Sequence, residues 1–220
     1  MNDHAAARES LCTWSRRMVQ DGLVVGTSGN LSVRTGDLIA VTPSGVDYAA
    51  MAPDDVVLVD PVGAVVDGTR TPTSELPLHL AAHARHGTRA VVHTHSPAAV
   101  AVSLLRDEVP PVHYQIAMFG GAVRVADYAP FGSDALVRNT MAALGERTAV
   151  VMGNHGTLVL GEQLGAAYDA ARQLEWLCDV WLRARAVGEP RLLSPEQISE
   201  ALRRFAVQKE KVRATTPASR

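Results

Sequence analysis

Two histidines one residue apart, His93-Thr94-His95, close the apolar run Ala90-Val91-Val92. On a β-strand residues i and i+2 point to one face. Both imidazoles then stand side by side where the chain turns at Ser96-Pro97. A third histidine, His155, lies between Asn154 and Gly156, just after another apolar run. If the two strands are neighbours, three imidazoles converge and leave a fourth position for an exchangeable ligand, the open tetrahedral arrangement of catalytic zinc. Each signal also has a bland reading. H-x-H pairs occur as ordinary surface or core pairs, and a histidine flanked by glycines is usually polar loop. Their coincidence at the ends of two apolar strands favours a metal.

Glu75 is a candidate fourth member, at the head of a helical stretch and beside the hydroxyls of Thr73 and Ser74. It reads equally as a first-turn acid that suits the helix dipole. A rival site exists, because Glu75, His79 and His83 are spaced four apart and share one helical face. His79 lies between Leu78 and Leu80 and reads better as a satisfied, half-buried histidine. His86 reads as an exposed residue complementing the helix C-terminus, and His4 as solvent-facing. Three turns share a further chemistry: Thr27-Ser28-Gly29-Asn30, Pro43-Ser44-Gly45 and Thr73-Ser74. Hydroxyls, glycines that permit close approach and backbone N–H groups make such turns anion cradles. None contains Lys or Arg, so neutral donors would do the binding.

The elements that must position these groups follow from periodicity and breakers. Helices are expected over His4–Gln20, from Ser74 as cap to a stop at Gly87, from Ser96-Pro97, over Ser133–Leu144, over Gln163–Val187 and from Ser194. A short helix start is expected at Ala52–Asp55. Strands are expected at Leu31–Arg34, Leu38–Thr42, Val56–Val59, Ala64–Val66, Arg89–His95, Val123–Ala126, Thr148–Met152 and Thr157–Leu160. Strands interleaved with helices make an α/β layered fold. Tight turns between neighbouring strands make the sheet mixed and largely antiparallel.

The whole chain fits one domain over residues 1–213 with a flexible tail over 214–220; its 220 residues can bury a sizeable core. A net charge of -2 without clustered Lys and Arg excludes a nucleic-acid surface. No apolar run is long enough for a membrane span, and the N-terminus has no signal-peptide core. Cys12 and Cys178 make no disulfide framework, which points to a reducing cytoplasm and leaves His and carboxylates as the metal ligands.

GTSGNLSVR (26–34), VTPSG (41–45), PTSE (72–75), VVHTHS (91–96), PPVHY (110–114), YAPFG (128–132) and NHG (154–156) together resemble the class II aldolase/adducin superfamily, and within it the L-fuculose-phosphate aldolases. The likeness covers about Gly26 to Trp181. It implies a three-layer α/β/α sandwich, one Zn2+ per subunit on His93, His95 and His155, and Glu75 as both fourth ligand and base. It implies phosphate binding by Gly29, Asn30, Ser44, Gly45, Thr73 and Ser74. It also implies a C4 homotetramer with active sites between subunits, in which Tyr114 reaches a neighbour's site and acts on the aldehyde oxygen. Phe131 would wall the aldehyde. A tyrosine that closes the site near the C-terminus in some of these enzymes has no counterpart here, where Gln208 stands at about that place.

The implied reaction is cleavage of a ketose 1-phosphate to dihydroxyacetone phosphate and a small aldehyde such as lactaldehyde. Within the superfamily the rivals are a ribulose-5-phosphate 4-epimerase and a methylthioribulose-1-phosphate dehydratase. The apolar run after His113-Tyr114 favours the aldolases. A non-catalytic, adducin-like interaction domain is the rival of another class, and it has no use for three converging imidazoles.

Overall fold

The structure is a computed structural model that describes residues 3–86 and 88–215. The expected helix stop at Gly87, the His86 side chain and residues 216–220 of the expected tail lie outside the described residues. The chain runs α1 (Asp3–Gln20), β1 (Asn30–Thr35), β2 (Leu38–Val41), β3 (Val57–Val59), β4 (Val65–Asp67), α2 (Leu76–His86), β5 (Ala90–Thr94) and α3 (Pro97–Ser103). It continues through β6 (Val125–Ala126), α4 (Asp134–Leu144), β7 (Ala149–Met152), β8 (Gly156–Gly161), α5 (Leu164–Val187) and α6 (Pro195–Thr215). Short 3-10 turns at Pro53–Asp55 and Tyr114–Phe119 complete it.

The eight strands form one sheet in the order β4-β3-β2-β1-β5-β8-β7-β6. Every pairing is antiparallel except β6 with β7. Short turns make β1–β2, β3–β4 and β7–β8 antiparallel neighbours, the antiparallel β1–β5 and β5–β8 pairings are long-range, and the parallel β6–β7 pair is joined by a crossover through α4. One sheet face packs α1, α3 and α5 through Leu11, Met18, Val102, Leu174, Leu177 and Trp181. The other packs α2 and α4 through Leu78, Ala82, Leu136 and Leu144. The result is the expected α/β/α sandwich.

Strand alternation sorts the site. On β5, Val92 faces the α5 side and Val91 the α2 side, so His93 also faces α2. On β1, Leu31 faces α5, which turns Asn30 and Ser32 toward α2. β1 and β8 flank β5, with Asn30 opposite His93 and Thr94 opposite Thr157. Functional groups from three adjacent strands therefore collect at one sheet end.

Two local expectations change. Ser74 does not cap α2: the Thr73 hydroxyl accepts from the Glu75 amide at 3.3 Å, and Ser74 is exposed. A hydroxyl one residue earlier closes the turn, because the chain is tied there by the Thr73 amide donating to the Thr42 carbonyl. His4 is half-buried, with Nδ1 3.0 Å from the Thr35 hydroxyl. By contrast Ser133 and Ser194 accept from the Leu136 and Gln197 amides as N-caps should.

Candidate metal centre and phosphate cradle

His93 is fully buried, and its Nδ1 lies 2.8 Å from the Thr157 carbonyl oxygen on β8. A carbonyl only accepts, so Nδ1 carries a proton, and a neutral ring presents its Nε2 lone pair to the site. That lone pair faces Glu75 Oε2 at 2.9 Å and His95 Nε2 at 3.0 Å. Glu75 Oε1 lies 3.2 Å from His155 Nε2 and, among the described residues, accepts no hydrogen bond. Lone pairs this close require a positive charge between them, either a proton or a metal ion.

The geometry fits the metal. Ring centroids of His93, His95 and His155 form a nearly equilateral triangle of 4.9, 5.0 and 4.9 Å, with the rings steeply inclined to one another. One ligand atom from each of these rings and from Glu75 falls within 4.8 Å of the others. Burial, then the neighbouring His93 and His155, push His95 down to about 4, against the pull of Glu75. A neutral imidazole is the form a metal needs. Burial raises Glu75, but the neighbouring His93, His155 and Asn30 outweigh it and hold the carboxylate well below its usual range. The set is three nitrogens and one carboxylate, the donor chemistry of zinc-type sites.

The backbone around each ligand is constrained. The Thr94 hydroxyl lies 2.7 Å from that of Thr157 and 2.6 Å from that of Ser96, which pins β5 to β8 beside the histidines. The His95 amide donates to the Leu23 carbonyl at 3.0 Å. Beyond it, the Glu175 carboxylate accepts from the Ala98 and Ala99 amides and holds the start of α3. Asn154 is the one non-glycine with positive φ among the described residues, at 56°, a conformation Asn tolerates. A Cβ on Gly156 would collide with the Thr94 carbonyl. The Asn154-His155-Gly156 turn thus needs these residue types to deliver His155.

A pocket of about 420 Å³ opens over this cluster. All three hydroxyl-rich turns line it, supplying Gly29, Asn30, Ser44, Gly45, Thr73 and Ser74. The second and third turns hold each other: Ser44 donates to the Thr71 carbonyl, and Pro43 bridges Pro72. Gly29, at φ +71°, sits so close to the sheet that a Cβ would meet the His93 carbonyl at 2.9 Å. Phe131 and Tyr128 stand exposed at the pocket wall.

Three placements go beyond the sequence reading. The Asn30 side chain is turned inward: Nδ2 donates to Glu75 Oε2 at 3.0 Å and Oδ1 meets His79 Nε2 at 2.5 Å. Its side chain is therefore not available to an anion. The rival grouping of Glu75, His79 and His83 is no ligand set, because His79 is fully buried and both histidines share the Ser32 hydroxyl, at 2.7 and 2.9 Å. Tyr114 does not line the pocket. It stacks on Phe205 of α6 with centroids 6.1 Å apart, and Tyr114, Phe205 and Gln208 line a separate cavity. Tyr48 joins the site without a sequence signal: its buried hydroxyl donates to the Gly29 carbonyl, and burial pushes its pKa up to about 12. No motif marks it, since its role is set by a contact between distant turns.

The model of the class II aldolase and adducin N-terminal domain matches residues 9–182. The chain belongs to the class II aldolase and adducin family. It is 35% identical over 201 residues to the 5-deoxy-D-ribulose 1-phosphate aldolase of Bacillus thuringiensis serovar kurstaki, covering 90% of this chain and 94% of that one. It is 36% identical over 214 residues, 96% of each chain, to the 5-methylthioribulose-1-phosphate/5-deoxyribulose-1-phosphate aldolase of Rhodospirillum rubrum. An L-fuculose 1-phosphate aldolase structure superposes with a TM-score of 0.87 at 34% identity, over 91% of this chain and 96% of its own. Each of these class II aldolase relatives is an aldehyde-lyase, and that is the chemistry this family member's site serves.

Proposed function

We propose that this chain is a zinc-dependent aldolase that cleaves a ketose 1-phosphate with a deoxygenated terminal carbon, of the L-fuculose 1-phosphate or 5-deoxypentulose 1-phosphate type. The products are dihydroxyacetone phosphate and a small aldehyde. The observation that carries the reading is the Glu75–histidine cluster at the floor of a pocket walled by three neutral anion-binding turns. The relatives' names share the ketose phosphate and differ in the distal carbons, which fits one polar cradle and an apolar wall at Tyr128 and Phe131.

In this reading the turns at 27–30, 43–45 and 73–74 hold the phosphate through N–H and hydroxyl groups and fix the reacting carbons over His93, His95 and His155. Bound zinc supplies the Lewis acidity that a ketone needs before a carboxylate can take a proton from its neighbouring carbon. In cleavage, Tyr114 of a neighbouring subunit takes the proton from the C4 hydroxyl as the C3–C4 bond breaks. The bonding pair stays on C3, and Glu75 Oε1, having taken up a proton from solvent as substrate binds, delivers it there to give dihydroxyacetone phosphate, while Tyr114 returns its proton to solvent. Synthesis runs the same steps backward. Tyr114 lies outside its own chain's pocket, which supports a shared site in a C4 homotetramer. Among the described residues no helix is long and apolar enough to cross a membrane. With two free cysteines, this supports a cytoplasmic enzyme. One domain through α6 fits the buried clusters all lying on a single sheet.

The deciding assay couples dihydroxyacetone phosphate release to a dehydrogenase, with L-fuculose 1-phosphate and 5-deoxyribulose 1-phosphate as substrates. Release that chelation abolishes and zinc restores is expected. A zinc-loaded enzyme that releases none from either substrate overturns the proposal, and C4 epimer without release indicates the epimerase.

A further inference from the structure

Two buried histidines, His79 and His83, take no part in the proposed chemistry and line no part of the site pocket. Their partners form a continuous line. Asn30 and Ser32 are two apart on β1, and His79 and His83 are four apart on α2, so both pairs recur at about 6–7 Å along their elements. The strand and helix therefore meet in step, and the contacts run Glu75, Asn30, His79, Ser32, His83, Thr88.

We propose that His79, backed by Ser32 and His83, is a positioning residue that fixes the Asn30 amide and through it the Glu75 carboxylate. This rests on the reading of Glu75 as the proton-handling group. The polarity follows from chemistry. A carboxylate only accepts, so the Asn30 nitrogen faces Glu75 Oε2. The amide oxygen then faces His79 Nε2, which must carry a proton. Burial first, then His83 and His93, push His79 down to about 3, despite Glu75, so the ring is neutral and its Nδ1 is bare. That nitrogen accepts the single Ser32 hydroxyl proton; His83 Nε2 lies 2.9 Å from the same oxygen with no proton to accept from it, and His83 is held through Nδ1, which donates to the Thr88 carbonyl. A flipped Asn30 would set its oxygen against the carboxylate and its NH2 against the His79 N–H. One orientation survives, in which Glu75 Oε2 is tethered and Oε1 is left without a hydrogen bond, toward His155. Such outer partners orient reacting carboxylates, and losing one typically costs about 10–100-fold.

The test uses two substitutions that replace different ring nitrogens. The amide nitrogen of His79→Gln reaches the place of Nε2 and can still donate to Asn30. The shorter His79→Asn replaces only the Nδ1 side. The readouts are zinc content and solvent exchange of the dihydroxyacetone phosphate proton, which needs no aldehyde. His79→Asn should lower kcat for exchange about 10–100-fold with KM within about threefold, whereas His79→Gln stays within about fivefold of wild type. Nitrogen-15 NMR of the metal-free wild-type protein should show His79 protonated at Nε2 and bare at Nδ1. The opposite tautomer overturns the proposal. So does wild-type exchange by His79→Asn, or equal loss in both variants, which is the signature of simple packing. If His79→Asn does not fold, the tautomer decides. Glu75→Gln, run in parallel, tests the underlying reading separately: wild-type exchange there removes Glu75 as the base, whatever His79 does.

Discussion

Two groups of histidines flank Asn30, and they differ in what their nitrogens meet. In His79 and His83, every ring nitrogen has a neutral partner: Asn30, Ser32 or the Thr88 carbonyl. In His93, His95 and His155, nitrogens meet one another and a carboxylate, with Glu75 Oε1 lacking any hydrogen bond. His93 is as buried as His79, while His95 and His155 border the pocket, so burial alone does not separate the groups. Partner chemistry does. Lone pairs gathered on three rings around a carboxylate call for a cation, whereas rings tied to amide, hydroxyl and carbonyl groups make a support. Residue type and spacing alone cannot draw this line, because Glu75 belongs by helical spacing to the second group and by contact to the first.

The comparison breaks most visibly in the first group. His95→Ala should lose bound zinc and reduce cleavage by about 10³-fold or more, since an open site needs all three nitrogens. Metal analysis at unchanged occupancy would refute the ligand assignment. Glu75→Gln keeps the shape of the carboxylate and removes its basicity. Exchange of the dihydroxyacetone phosphate proton should fall about 10²–10⁴-fold while the fold persists, and an unchanged thermal melt checks the latter.

These two variants also mark what was legible in the sequence. Strand periodicity placed His93 and His95 on one face, and α2, β5, β8 and α5 lie close to where breakers put them. The neighbour relation that brings His155 to them is a long-range β5–β8 pairing, which periodicity does not specify. The Asn30 side chain was hidden for a related reason. Its turn has the composition of an anion cradle, yet its rotamer answers to Glu75 and His79, which are remote in sequence. Tyr48 is the plainest case, a buried hydroxyl under Gly29 with no local signal at all.

The second group can be sharpened by acid. Burial, opposed by the Thr88 carbonyl and assisted by Arg34, lowers His83 from 6.5 to about 4 in the folded chain. Between those values the unfolded chain binds a proton that the folded chain refuses, so stability is whole above 6.5 and falls as pH drops toward 4. From pH 7 to pH 5 this one group should cost about 2 kcal/mol. Urea unfolding of the metal-free wild type against His83→Gln, at both pH values, reads that difference. Equal acid losses in the two proteins would mean His83 is not held neutral.

The smallest effect lies at the pocket wall. Phe131 is 75% exposed, so Phe131→Ala should leave zinc content and stability untouched and raise KM for the ketose phosphate by about three- to tenfold, the worth of a partial apolar contact. A large drop in kcat for dihydroxyacetone phosphate exchange would instead put Phe131 in the cradle.

The central claim is that His93, His95, His155 and Glu75 hold a metal on which carbon–carbon cleavage depends. It is tested most directly by titrating zinc into the chelated enzyme while following dihydroxyacetone phosphate release. The account predicts activity rising in proportion to zinc and levelling at one ion per chain. Full activity before any zinc is added, or zinc bound at that ratio with no release, would contradict it.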